Sequence, residues 1–387
     1  MSEESHVDEI QASVDSRVEE EPIEEQEFAF ASQWRLMWLR FRRHKLALVG
    51  SVVLLTLYGV AALCEFISPH EPNQRNAEYV LCPPQGVRFF DVEGGFHLRP
   101  FVYGLQQDPT AGEWQRAYII DPNKIHPIRF FARGPEYEMW GLFETNLHLF
   151  SAGTDAPLFL LGTDDLGRDL LSRILYGARI SLTIGLIGVS MTFLIGILLG
   201  GLAGYYGGSV DIVVQRGIEV LMAVPQLPLW MALSAALPAH WPPLRVYFGV
   251  TLILSLMGWT GLARVVRGKF LSMRDEDFVV AARLSGTSEL KIIFKHLLPS
   301  FLSHVITAAT LAVPGMILGE TALSFLGIGL RAPVVSWGVL LQKAQNFQAV
   351  SMAPWLLLPG LFVVLAVLAF NVVGDGRRDA ADPYASR

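Results

Sequence analysis

The chain has 387 residues, of which 52% are hydrophobic and only 17% charged, against about 25% charged in an ordinary soluble domain. That balance, with a net charge of −6, points to lipid as part of the solvent and away from a nucleic-acid partner or a small disulfide-built domain. Two cysteines, Cys64 and Cys82, read as a core thiol and a loop thiol, with a single bridge between them the lesser reading.

Taken in chain order, the first 27 residues hold eleven Asp and Glu against the single Arg17. Such a segment buries too little apolar surface to offset its ordering entropy, so residues 1–30 are expected to be a disordered acidic tail. It is not a signal peptide, which would begin with a basic region. From Trp34 to Lys45, Trp and Leu alternate with Arg, the pattern of a helix lying in the headgroup layer. A first membrane span is expected from about Leu46 to Ile67, and the basic residues before it place the N-terminus in the cytoplasm.

Residues 68–176 have soluble composition and no apolar run long enough to cross. Alternation at Val87–Val92 and Pro127–Phe131 suggests short strands, hence a small β-rich extracytoplasmic insert. Further spans are expected at about Ile180–Gly204, Val220–Leu237, Val246–Ala263, Phe301–Leu323 and Ala353–Val373. Between the fourth and fifth, residues 264–299 carry Arg264, Arg267, Lys269, Arg274, Arg283, Lys291 and Lys295, which makes that loop cytoplasmic. The fold class is therefore an all-α polytopic membrane protein of six helices. It divides into the tail 1–30, the interfacial helix and first span 31–67, the insert 68–176, a five-helix core 177–374 and a cytoplasmic tail 375–387.

The loop reads as two short helices. Asp275 is placed to cap the first, Gly286 to supply a left-handed exit, Thr287 or Ser288 to cap the second, and Pro299 to mark the junction with the fifth span. Leu290, Ile293, Phe294 and Leu297 are expected to form one apolar stripe. Gly196, Gly200, Gly204 and Gly208 recur every fourth residue, a ladder that lets membrane helices approach closely. Asp165, Arg168, Asp169, Arg173 and Arg179 stand at helical spacings before the second span, as ion pairs on a surface helix would. Glu320 lies near the end of a span and should face protein or water, in a structural role or along a solute path. Pro225, Pro228 and Pro359 fall within spans and suggest kinks. His296 and His304 read as polar fillers or interface residues rather than ligands. No CxxC, HExxH or GxxxxGK[ST] pattern occurs, so neither metal chemistry nor nucleotide hydrolysis is expected of this chain.

Val280, Ala281 and Ala282, followed by Gly286 and then Leu298 and Pro299, resemble the EAA loop of ABC importer permeases. Leu161–Asp169, Tyr176–Leu182, Gly204–Gly208 with Asp211 and Arg216, Leu323–Gly327, Ser336–Gly338 and Asn371–Asp379 through Asp382 and Pro383 are similar to the dipeptide/oligopeptide/nickel permease family. The match runs from about Trp34 to Pro383 apart from the insert. The resemblance implies the type I importer permease fold. It makes Val280, Ala281, Ala282, Arg283, Gly286, Lys291, His296, Leu298 and Pro299 the surface that couples to an ATPase. One departure is Val280, which stands where the family usually has Glu, although Glu276 and Asp277 lie one turn earlier.

The resemblance further implies a non-catalytic subunit that binds no cofactor itself, ATP and Mg being held by two partner ATPase subunits. Its other partners would be a second permease, with which the glycine ladder is compatible, an extracytoplasmic binding protein and the inner-membrane bilayer. Glu320 and Ser324 are then candidates for the translocation path, and Asp165, Arg168 and Asp169 for a periplasmic dock. Oligopeptides are the expected solutes. Oligosaccharides or glycosides are the alternative, because the insert around Gly141–Phe150 looks like that of a sugar-importing branch and its aromatics, among them Trp114, Tyr118, Tyr137 and Trp140, suit sugar stacking. An ion-driven transporter would need intramembrane carboxylates, and an intramembrane hydrolase a Ser/Lys or paired-Asp constellation; the nearly charge-free spans argue against both.

Overall fold

The structure, a computed structural model, describes residues 33–108, 117–153 and 157–381. The acidic tail 1–30, Trp114, Asp382 and Pro383 lie outside the described residues.

Helix α1, Gln33–Arg43, ends in Arg40, Arg42 and Arg43 and runs directly into α2, Lys45–Ala62, which His44 caps by accepting the Ala47 N–H at 3.0 Å. The first span is shorter than the sequence suggests. It stops at Leu63 (φ −107°, ψ 22°), and a separate turn, α3 at Cys64–Ile67, carries the chain out of the membrane. The helical unit α4, Leu170–Tyr206, begins about ten residues before the expected second span, because Asp169 accepts the Ser172 N–H at 2.8 Å and so starts the helix.

The third span is not one straight helix. Helices α5, Gly208–Ala223, and α6, Gln226–Ala235, are bent by 88°. Val224, forced out of helical geometry by the following proline, takes an extended ψ of 129°. Helix α7, Pro243–Met273, extends ten residues past the expected end, so Arg264, Arg267 and Lys269 ride on the helix and the true loop is shorter than 264–299. The loop helices α8, Asp277–Leu284, and α9, Glu289–Ile292, lead into α10, Leu302–Phe325. After α11, Trp337–Gln342, helix α12, Leu358–Ala381, closes the bundle. The tail expected to begin at Asp375 is thus still helical there.

Five helices among the described residues are long and apolar enough to cross a membrane, and the bent pair makes a sixth crossing if it counts as one. Of the expected kinks only Pro225 falls at a break. Pro228 and Pro359 lie in first turns, where no N–H is required. Pro314, unmarked in the sequence reading, is the proline inside a helix.

The glycine ladder works within the chain. Gly196, Gly200 and Gly204 bring α4 against α7: a Cβ at Gly200 would collide with the Ala263 backbone, and one at Gly204 would lie 2.7 Å from the Arg267 carbonyl oxygen. Gly208 has open space around it. The ladder therefore joins two helices of one subunit rather than two subunits. Helix α2 packs on α12, and α10 on α12 and α4.

The insert is β-rich as expected. Strands β1, Arg88–Phe90, β2, Phe96–Gln107, and β3, Tyr118–Pro127, form an antiparallel sheet, and β4, Arg129–Met139, pairs with β5, Phe143–Ser151. The Pro127–Phe131 stretch straddles the junction of β3 and β4 instead of forming one strand. Cys82 is buried beside Leu105 and Phe159, Cys64 is buried in α3, and both are free thiols that burial pushes up to about 12.

Candidate functional site

The loop between α7 and α10 gathers the residues that the sequence singles out. Helix α8 starts after Glu276, whose backbone is extended, and not at Asp275; no side chain caps it. Its exit is the expected one. Gly286 takes φ +75°, its N–H donates to the Arg283 carbonyl at 3.1 Å, and the Thr287 N–H donates to Ala282 at 3.1 Å, the paired bonds of a Schellman turn. Val279 and Ala282 are buried against the membrane helices, whereas Phe278, Val280 and Leu284 are exposed, Leu284 by 84%.

Ser288 occupies the cap position of α9 without a side-chain bond, and the chain passes into a π turn at Ile293–Leu297. Pro299 has no N–H to offer the Lys295 carbonyl, and the Leu298 N–H reaches back to Ile293 instead. The expected apolar stripe is split as a result. Ile293 and Leu297 go inward with Ile292, and Leu290 and Phe294 stay out. Val280, Ala281, Arg283, Gly286, Lys291 and Pro299 are exposed, while His296 and Leu298 are half-buried.

Two contacts tie this loop to the end of α4. The Arg283 guanidinium lies 5.8 Å from the Tyr205 ring centroid, and the Tyr206 hydroxyl donates to Glu289 Oε2 at 2.6 Å. Tyr205, Tyr206 and Glu289 were not among the expected coupling residues. The Gly204–Gly208 motif was the available signal, but sequence spacing does not show that it meets the loop.

Glu320 is fully buried, and so is Ser324. Oε1 of Glu320 accepts from Ser324 at 2.8 Å and Ser336 at 2.7 Å, and Oε2 accepts from Ser181 at 3.2 Å. Ser324 in turn accepts the Leu330 N–H and Ser336 the Val339 N–H, while the Trp337 N–H donates to Ser181. The carboxyl thus ties α10 and α4 to the segment that enters α11, and it faces protein on every side.

The 164–169 segment is a tight turn, not a surface helix. Asp164, Arg168 and Asp169 are buried, and Asp164 Oδ2 accepts from Arg168 Nε at 2.8 Å with Arg173 Nε at 3.6 Å. Burial pushes the Asp169 carboxyl above its usual range. Asp165 reaches the surface and pairs with Lys343 at 2.7 Å. Of the three expected dock residues, then, Asp169 starts α4 and Arg168 holds the turn before it through Asp164.

A groove of about 590 Å³ lies between α4, α6, α7 and α10. Its walls include Thr192, Gln226, Trp230 and His304, with Gly258, Gly261, Ala308, Ala312 and Gly315 leaving it open. Trp230 is 7% exposed and its indole Nε1 has no hydrogen-bond partner. Neither Glu320 nor Ser324 lines this groove.

Residues 196–387 match the family of binding-protein-dependent transport system inner membrane components, and residues 32–84 match the N-terminal TM domain of oligopeptide transport permease C. The dipeptide transport system permease protein DppC of Bacillus subtilis is 32% identical over 90% of this chain and 85% of its own. The oligopeptide transport system permease protein OppC of Haemophilus influenzae is 38% identical over 80% of this chain and 96% of its own. A methionine ABC transporter, MetNI, solved in inward-facing conformations, aligns with a TM-score of 0.40 at 18% identity over 53% of this chain and 95% of that one. The membrane helices, the loop between α7 and α10 and this extent of identity together make the chain a member of the ABC importer permease family, a binding-protein-dependent inner membrane component.

Proposed function

We propose that the chain is one of two permease subunits of an ATP-driven peptide importer, with both termini in the cytoplasm. A second permease, two ATPase subunits that hold ATP and Mg, and an extracytoplasmic binding protein complete it. The chain itself carries out no covalent chemistry. Peptides are favoured as the solute by the naming of the relatives as dipeptide and oligopeptide permeases.

The observation that carries this reading is the exposed apolar set Phe278, Val280, Leu284, Leu290 and Phe294 on a loop whose other face is buried. Such a surface at the end of a helical bundle suits docking into a partner's cleft. Through Arg283 on Tyr205 and Glu289 on Tyr206, displacement of α8 and α9 together would pull on the end of α4 as a rigid body.

We assign the solute path to the groove rather than to Glu320 and Ser324. Gln226 and His304 are exposed polar groups along the groove, which are costly against lipid and favourable against water or a peptide backbone. From His304 to Met316 the groove follows α10 for roughly 18 Å at 1.5 Å per residue, toward the coupling loop.

The test is ATP hydrolysis by the reconstituted complex with its binding protein and a peptide ligand, comparing wild type with Leu284→Asp. Leu284 contributes little to the fold, so the variant should assemble its membrane part yet lose most ligand-stimulated hydrolysis, by about tenfold or more for a lost docking contact. Undiminished stimulation would remove the coupling role. Stimulation by a sugar ligand in place of a peptide would change the solute class alone.

A further inference from the structure

The hydrocarbon boundary on the insert's side of the membrane is marked independently by two helices. The apolar run of α2 ends at Ala62, with Glu65 following; α4 is uncharged from Ile180 to Gly204, immediately after Arg179. Arg179 joins the two, donating from Nε to the Ala61 carbonyl at 3.0 Å and from Nη2 to Ala62 at 3.2 Å while it pairs with Glu65. An ion pair is at home among headgroups and costly in hydrocarbon, so the boundary passes close to Ala62 and Arg179.

The turn between β4 and β5 is held at that level. Trp140 Nε1 donates to the Ala62 carbonyl at 2.7 Å, and the Phe131 ring of the same hairpin lies 6.1 Å from Phe66. Trp140 is nevertheless 55% exposed, beside it Leu142 is 73% and Phe143 63% exposed, and Phe131, near the start of β4, is 66% exposed. Both aromatics sit in left-handed backbone, Trp140 at φ +53° and Phe131 at φ +51°. That region disfavours bulky residues, and a turn would ordinarily place Gly, Asn or Asp there. Among the described residues only Leu81 shares that conformation outside glycine. The backbone strain therefore coincides with the two side chains that meet the end of the first span.

We propose that the β4–β5 hairpin is a membrane-contact element, with Trp140, Leu142 and Phe143 seated in the interfacial layer of the bilayer on the insert's side. An indole that hydrogen-bonds at the boundary and turns its body outward suits that layer, and Leu and Phe beside it gain by leaving water. The occupant is lipid because the same surface continues down α2 through the exposed Leu63, Leu55, Val52 and Val49. The hairpin's other side fits this orientation. Glu136, Glu138 and Glu144 line a cavity of about 580 Å³ with Glu65 and Glu71, and strand alternation separates Glu144 from Phe143. One edge of the hairpin is thus acidic and wet, and its tip is apolar. This inference does not depend on the transported solute.

The experiment places a nitroxide on Leu142→Cys, with the protein in phosphatidylethanolamine/phosphatidylglycerol vesicles. The native cysteines are buried and leave this site the reactive thiol. Collision with oxygen is expected to exceed collision with a water-soluble nickel chelate several-fold, as on a Val52→Cys control. Nickel accessibility equal to that of a Glu138→Cys control would overturn the proposal. Exclusion of both probes would also overturn it, by showing a protein cover. Should Leu142→Cys misfold, brominated lipid gives an independent reading: the quenchable fluorescence of the wild type must shrink in Trp140→Phe, and an unchanged quenchable fraction sinks the idea.

Discussion

Glu320 stands within a membrane helix, yet its neighbours are three serine hydroxyls from three segments of the chain. Replacing it with Leu leaves those hydroxyls in a dry interior without their acceptor, at about 1–3 kcal/mol for each group left unpaired. Glu320→Leu should therefore lower the melting temperature markedly and speed tryptic cleavage at the already exposed Arg331 by loosening its segment, and Glu320→Gln, which retains an acceptor oxygen, should do so much less. Equal melting curves for the two variants would show that the carboxyl does not organise the segment. Glu65 illustrates a different electrostatic situation. Burial raises its pKa, but hydrogen bonds and charge from Arg179 outweigh that and hold it below the ordinary 4.5. A depressed carboxyl contributes stability above its unfolded value and loses it as pH falls through the lower folded value. The stability gap between wild type and Glu65→Gln should accordingly be full at pH 7 and narrow below about pH 4.5; a gap that widens on acidification would contradict the pairing.

At the scale of elements, the packing of α4 on α7 depends on atoms that are missing. Gly200→Ala sets a methyl against the Ala263 backbone, which cannot move aside as a side chain would. It should cost about 1–3 kcal/mol, as overpacking does. Gly217→Ala in α5 meets nothing within 4 Å and should be neutral or gain up to about 1 kcal/mol from helix propensity. Thermal unfolding of the two variants side by side separates contact from propensity. The elements themselves differed in legibility. Gly286 announced a left-handed exit because few residues tolerate that backbone. The split of Leu290 and Phe294 from Ile293 and Leu297 was hidden, since a π turn leaves no mark in apolar spacing beyond the downstream Pro299. The third span misled for a similar reason: an apolar count cannot register an 88° bend.

Across the whole molecule, the groove between α4, α6, α7 and α10 joins residues more than 100 positions apart, from Thr192 to Met316. If it is the solute path, a thiol at Ala312→Cys should react with a small charged, membrane-impermeant reagent in the assembled transporter, and a trapped nucleotide state should change that rate. Reaction only with a lipid-partitioning maleimide would show a groove that faces the bilayer, and a disulfide to the second permease would show one filled by its helix. The same scale reassigns Asp165, Arg168 and Asp169. Their spacing suggested ion pairs on a surface helix and the family resemblance an exposed dock, but tertiary packing draws Asp169 inside to start α4, buries Arg168 against Asp164 and leaves Asp165 to Lys343.

By itself the sequence determined the solvent, the number of crossings with the bent pair counted as one, the β-rich insert and the position of the loop between α7 and α10. Each follows from local composition: apolar run length against bilayer thickness, strand alternation, and the few backbone states open to glycine and proline. Tertiary structure alone decided that the glycine ladder joins α4 to α7 within one subunit, that Glu320 is enclosed by Ser181, Ser324 and Ser336, and that Trp140 meets Ala62. Those contacts link residues far apart in the chain, and whether a polar or small residue faces lipid, water or protein depends on its neighbours in space.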